Sequence, residues 1–190
     1  MNQQPEKGRL IVVTGPSGVG KGTIVSEVRR SCDVVFSVSA TTRKPRPGEQ
    51  DNKNYNFIDR DTFMRMVDSD EMLEWAEVFG EYYGTPSRAV RQAVDDGKSI
   101  ILEIDVQGAI QVARKVSDAM FILIAPPSMD ALRDRLVGRG SETPRQMDKR
   151  LGEAESELRI AKESGIFQHK VINDDLDAAI EQVVALINQE

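Results

Sequence analysis

The chain has 190 residues, 39% of them hydrophobic and 29% charged, with a formal net charge of −6. That length suits one well-buried α/β domain with insertions and is too short for two full domains. The acidic balance argues against a nucleic-acid binder, the single cysteine (Cys32) excludes an internal disulfide, and no apolar run reaches membrane-spanning length.

In chain order, Met1–Gly8 is polar and lacks a signal-peptide core, which points to a soluble, cytoplasmic protein with neither nucleic-acid nor membrane partners. The apolar run Leu10–Val13 leads into Gly15-Pro16-Ser17-Gly18-Val19-Gly20-Lys21-Gly22-Thr23, and an amphipathic segment continues through Val25, Val28 and Arg30. Strand, glycine loop and helix in this order form the context of a phosphate-binding P-loop. The glycines let successive N–H groups turn inward, and the helix adds its positive end. Lys21 supplies a mobile charge for the outer phosphates of ATP or GTP. The position after Lys21 ordinarily carries a Ser or Thr hydroxyl for Mg²⁺, and here it is Gly22, with Thr23 one residue later. Either Thr23 meets the inner phosphates while Mg²⁺ rests mainly on phosphates and water, or the loop geometry differs. No other metal ligand is evident.

Further apolar runs at Val34–Val38, Ile100–Ile104, Met120–Ile124 and Val171–Ile172 are continuous rather than alternating. Such strands belong to a parallel sheet covered by helices on both faces, five strands in all. Helices are predicted from Thr85-Pro86 to before Gly97, from Thr143-Pro144-Arg145-Gln146 to before Gly165, and through Leu176, Ile180, Val183, Val184 and Ile187. Two stretches interrupt the alternation. Residues 39–84 hold seven of the ten aromatics and read as a small insertion. Residues 133–150 carry Arg133, Arg135, Arg139, Arg145, Lys149 and Arg150 around a glycine-flanked turn, the composition of a mobile lid. Cys32 and the lone His169 read as structural.

Three constellations carry chemistry. In Ser39-Ala40-Thr41-Thr42-Arg43-Lys44-Pro45-Arg46-Pro47-Gly48-Glu49, prolines restrict a loop whose Arg43 and Arg46 can converge on one phosphate, or which is simply a solvated basic loop. Tyr55, Glu74 and Tyr82-Tyr83-Gly84-Thr85 offer hydroxyls for a phosphate and a carboxylate for a base with adjacent N–H donors, as guanine has. Trp75 and one tyrosine fit a small core equally well. Glu103-Ile104-Asp105 ends an apolar strand, where parallel sheets place their ligands, and these acids can orient Mg²⁺ waters or the acceptor.

Ser39-x-Thr41-Thr42-Arg43-x-Pro45-Arg46-x-Gly48-Glu49, Tyr55-Asn-Phe57, Leu73-Glu74-Trp75, Tyr83-Gly84-Thr85, Ile104-Asp105-x-Gln107-Gly108, Arg135-Leu-x-Gly138-Arg139-Gly140 and Asn173-Asp174-Asp175 occur together and in order. Over about residues 8–187 the chain therefore resembles the guanylate kinases of the nucleoside monophosphate kinase family. The resemblance implies an α/β P-loop nucleoside monophosphate kinase fold: a parallel five-stranded core sheet flanked by helices, with a small mixed GMP-binding insertion and a helical lid. Its core would lie near 8–38, 89–127 and 151–190, the GMP-binding insertion near 39–88 and the lid near 128–150. It implies Mg²⁺ with ATP, GMP and expectedly dGMP as acceptors, and the reaction ATP + GMP ⇌ ADP + GDP.

Carried over by position, Ser39, Glu74 and Thr85 resemble guanine contacts, with Gly84, Glu103 and Asp105 in the same GMP site. Arg43, Arg46, Tyr55 and Tyr83 resemble those that grip the GMP phosphate. Gly15 to Thr23 and Asn173 resemble the ATP site, while Lys21, Arg43, Arg139 and Arg150 resemble the cations at the transferring phosphoryl group. Where the chain has Glu103 the family often has Asp. The rival readings are a silent interaction module that binds phosphopeptides through Arg43, Arg46, Tyr55 and Tyr83, or a kinase for another monophosphate or small phosphorylated sugar. The intact loop with Lys21 speaks against the first, and Glu74 beside Ser39 and Thr85 against the second.

Overall fold

A computed structural model describes residues 8–78, 80–138 and 144–189. Five strands, β1 (Leu10–Thr14), β2 (Val34–Phe36), β7 (Ser99–Glu103), β8 (Met120–Ala125) and β9 (His169–Ile172), form one sheet in the order β2-β7-β1-β8-β9. Every pairing in it is parallel. Burial on both faces explains the continuous apolar sequences. Ile11, Val13, Ile101, Ile122 and Ile124 point to the side covered by α1 (Lys21–Ser31) and α7 (Leu176–Asn188). Leu10, Val12, Ile100, Leu102 and Phe121 point to the other, against α3 (Ser87–Asp95) and α4 (Val106–Lys115). The chain leaves β1 toward one edge and returns through β7 toward the other, so β1 and β7 end side by side where the strand order reverses. A ligand crevice belongs there.

The insertion forms a mixed four-stranded sheet, ordered β4 (Asn56–Phe57), β3 (Ala40–Thr41), β6 (Glu81–Pro86) and β5 (Met72–Val78). Helix α2 (Arg60–Asp68) closes it, burying Phe63 with Ala40, Met72 and Tyr82. The aromatics divide as their environments require. Tyr82 stacks on Phe63 at 5.4 Å and meets Trp75 edge-on, while Tyr83 pairs with Tyr55.

Several boundaries differ from expectation. Thr85 and Pro86 still belong to β6, and α3 starts at Ser87, because Glu71 C=O accepts from both the Ser87 N–H and its hydroxyl at 2.8 Å. Strand β2 stops at Phe36. Helix α5 (Met129–Gly138) packs against α6 (Pro144–Ser164) through Leu132, Leu136, Leu151 and Ala154. Much of the basic stretch thus lies on these two helices; the sequence reading placed a helix at α6 but did not foresee its apolar contact with α5. Thr143, the expected cap of α6, lies outside the described residues. No described helix is long and apolar enough to cross a membrane.

Candidate active site

At the end of β1 the chain turns through Gly15, whose φ is 150°. A Cβ there would stand 2.1 Å from the Ile124 carbonyl oxygen, so only glycine lets the loop leave β1 so close to β8. Gly20 has φ 98° as N-cap of α1, and a Cβ there would collide with the Asn173 amide at 2.6 Å. Between them Pro16, Ser17, Gly18 and Val19 make the turn, closed by Val19 N–H donating to Pro16 C=O. The first-turn N–H groups of α1 open the helix where no side chain caps it, and no acid lies in the turn. That end attracts anions. Lys21 folds back, donating to Gly15 C=O at 2.5 Å and Pro16 C=O at 3.2 Å. Burial lowers its pKa, against the raising influence of Glu103, Glu157 and Asp105.

The Glu103 carboxylate stands beside Gly22. A Cβ at residue 22 would lie 3.6 and 3.7 Å from the two Glu103 carboxylate oxygens. The longer acid therefore reaches the space beside the missing side chain, while Thr23 is exposed one residue further on. Burial raises the pKa of Glu103 and Lys21 opposes the shift. Asp105 has a structural duty as well: it caps α4, its carboxylate accepting from Gly108 N–H at 2.7 Å.

One cleft of about 250 Å³ joins this loop to the insertion, lined by Lys21, Ser39, Tyr55, Glu74, Ala76, Val78, Tyr83, Gly84, Glu103, Ile104 and Asp105. Residues drawn from separate motifs thus meet on one surface. Glu74 is only 6% exposed, and its Oε1 accepts from the buried Thr85 hydroxyl at 2.7 Å. Desolvation raises its pKa to about 7, with Asp105 adding to the rise and the Thr85 hydrogen bond opposing it. Burial also keeps the Tyr55 phenol protonated beyond its usual range.

Arg43 stands at the cleft's edge, its guanidinium 5.5 Å from the Tyr55 ring centroid. Its fork is not open: NH1 and NH2 each donate to Glu49 at 2.9 Å, and Arg46 N–H donates to the same carboxylate at 2.7 Å. These contacts draw the Glu49 pKa down to about 2, Arg43 being the largest cause. The Arg46 side chain is exposed. Convergence of both arginines on one anion therefore requires Glu49 to give up part of the fork.

Asn173 is 4% exposed and donates its amide N–H to Val19 C=O at 2.7 Å, bracing the loop from below, while its Oδ1 has no hydrogen-bond partner among the described residues. Arg135 in turn donates to Asn173 C=O at 2.7 Å. Arg150 is half-buried on α6, and Arg139 lies outside the described residues.

Sequence reasoning passed over Glu157. It sits two turns beyond Arg150 on the same helical face, and its Oε2 is buried without a partner among the described residues. Burial brings its pKa to about 7, Lys21 opposing and Asp105 adding. The seven-residue spacing from Arg150 was the available signal.

A glycine loop at a helix N-terminus, at the point where a parallel sheet reverses and in one cleft with a carboxylate pocket, defines a P-loop phosphotransferase. The comparisons name the family. The guanylate kinase sequence model matches residues 7–190. Guanylate kinase of Halalkalibacterium halodurans is 46% identical over 98% of this chain and 91% of its own. That of Synechocystis is 45% identical over 100% of this chain and 98% of its own. The crystal structure of guanylate kinase from Anaplasma phagocytophilum superposes with a TM-score of 0.77 at 31% identity, covering 98% of this chain and 88% of that one. The chain belongs to the guanylate kinase family, and it is an enzyme.

Proposed function

We propose that the protein moves the γ-phosphoryl group of ATP onto the phosphate of GMP, yielding ADP and GDP, with guanine read by Glu74. The observation that carries this reading is the single cleft in which the P-loop Lys21 and the buried Glu74 both stand. The bond from the γ-phosphorus to the β,γ-bridging oxygen breaks, and ADP departs with its electron pair. A GMP phosphate oxygen forms the new bond. That oxygen is already anionic at neutral pH, so no side chain has to remove a proton. The barrier is repulsion between two polyanions, which Lys21, Arg43 and Arg150 lower by alignment and neutralisation.

Tyr55 and Tyr83 complete the acceptor-phosphate shell as Arg43 exchanges Glu49 for phosphate. Ionised Glu74 accepts from guanine N1–H and N2–H₂, with Ser39 and Thr85 beside it. The insertion, near 39–88, is the GMP-binding part of the molecule. Mg²⁺ enters with ATP, and the acid set suits it: Gly22 supplies no hydroxyl, the Glu103 carboxylate stands in ordinary contact range of where a residue-22 Cβ would be, and Thr23 follows. Mg²⁺ retains water readily, so phosphates and water can supply most of its shell. The natural setting of such an enzyme is the cytoplasm.

The test is Glu74→Gln. An amide N–H₂ facing guanine's donors leaves mispaired polar groups in a closed site, so kcat/KM for GMP falls roughly a hundredfold. IMP lacks the 2-amino group and loses less, so the GMP/IMP preference shrinks. An unchanged preference in the folded variant removes Glu74 as the reader.

A further inference from the structure

Strand β5, which carries Glu74, is the edge of the insertion's sheet. Its outer edge meets one stripe of the core helix α4: Gly108, Gln111 and Lys115, spaced three and four residues apart. The Gln111 side-chain carbonyl accepts from Trp75 N–H at 3.1 Å, and its amide donates to Trp75 C=O at 2.9 Å. A glutamine amide offers the one acceptor and one donor that a neighbouring strand's peptide would offer, so Gln111 completes the edge where β6 cannot reach. Lys115 fastens the start of the same strand, donating to Met72 C=O at 2.8 Å and to Asp70 at 2.7 Å.

Between these two anchors the β5–β6 register shifts, at Met72/Glu74. Such an irregularity re-aims the side chain that follows it, here Glu74. Gly108 supplies the last constraint. A Cβ on it would lie 2.8 Å from Glu74 Oε2, while Oε1 is held by Thr85 on the other side. The carboxylate is gripped between the insertion and the core helix.

We infer that Gln111 and Gly108 are specificity-determining positioning residues, through which the core helix fixes the direction of the Glu74 carboxylate toward the base. The inference rests on Glu74 being the guanine reader. It means that base choice depends on residues that touch no substrate. It also makes the β5 side of the insertion the part held to the core, whereas Arg43, Arg46 and Glu49 lie on a loop beyond β3, at the far side of the sheet.

Two variants act on the carboxylate differently. Gly108→Ala pushes Oε2 aside with no hydrogen bond lost, and alanine is the better residue inside a helix, so folding is retained. Gln111→Met keeps the length and removes both bonds to Trp75. Initial rates with GMP and with IMP, at saturating MgATP, are compared for the wild type, both variants and Glu74→Gln, with thermal melts of each. The GMP/IMP ratio of kcat/KM should fall roughly tenfold in Gly108→Ala and severalfold in Gln111→Met. The loss should appear in KM for GMP, with kcat staying within about twofold. A purely structural role would lower the melting temperature, or the rates with both substrates alike, and leave the ratio untouched. A wild-type ratio in folded Gly108→Ala or Gln111→Met, beside a reduced ratio in Glu74→Gln, overturns the inference alone. An unchanged ratio in Glu74→Gln overturns the reading beneath it as well.

Discussion

Glu74 should be about half protonated in the ligand-free enzyme at pH 7 and lose that proton when guanine arrives. Its pKa rises from 4.5 to about 7 on folding, with desolvation the largest cause. Between those values the native state binds a proton that the unfolded chain has released. The folded state is therefore favoured at low pH, and the Glu74 contribution to stability falls as pH rises from 4.5 to about 7, then stays level. A shift of this size corresponds to about 3 kcal/mol across the window, at roughly 1.4 kcal/mol per pH unit. Glu157, also near 7, adds a similar slope. The assay is urea unfolding of wild type and Glu74→Gln at half-unit steps from pH 5 to 8.5. Subtracting the two curves cancels Glu157 and the other groups that do not interact with Glu74. The difference should favour the wild type increasingly as pH falls below about 7. Binding follows the same equilibrium: below pH 7 the Glu74 part of GMP affinity weakens about tenfold per unit, and GMP binding at pH 7 releases about half a proton that Glu74→Gln does not release. Parallel unfolding curves for the two proteins would refute the desolvated carboxyl and the proton switch with it.

Lys21→Ala should reduce turnover by a hundredfold or more while GMP affinity stays near normal, measured by initial rates and by GMP titration separately. Glu103→Gln should move the Mg²⁺ dependence of ATP-analogue binding to higher Mg²⁺ by roughly tenfold, and Gly22→Ser added to it should recover part of the loss by restoring a hydroxyl beside the phosphates; calorimetric titration of the analogue with and without Mg²⁺ checks both. Phe63→Ala removes a fully buried ring stacked on Tyr82, so it should cost about 3–5 kcal/mol in unfolding and weaken GMP binding before ATP-analogue binding.

The strand, loop and helix from Leu10 to Ser31 were legible because the chemistry there is local: each glycine answers a backbone demand within a few residues. The same holds for the five core strands, whose uninterrupted apolar sequence reports burial on both faces. The ends of α3 and β2 were not legible, since they are decided by partners far along the chain, Glu71 for Ser87 and Ile101 for Ser37. Helix α4 hid behind Asp105, an acid that reads as a site residue and also serves as an N-cap. Helix α2 carried its signal openly, Asp59 accepting from Thr62 N–H, and was overlooked among the aromatics. Within the site, residue types singled out Lys21, Glu74, Tyr55 and Tyr83, and these four line one cleft. Residue types could not reveal that Glu49 closes the Arg43 fork or that Asn173 braces the loop, because a side chain's partner is chosen by the fold. The grip of Gly108 on Glu74 spans two elements and leaves no periodic trace at all.

The central claim, that this cleft passes phosphate from ATP to a guanine nucleotide, is tested most directly by ADP formation from MgATP with GMP, IMP, AMP, CMP and UMP supplied in turn. GMP should give the highest kcat/KM by orders of magnitude, with GDP formed in equal amount to ADP, and Glu74→Gln should erase most of that lead. Equal rates with AMP or CMP, or ADP formed without GDP, would contradict it.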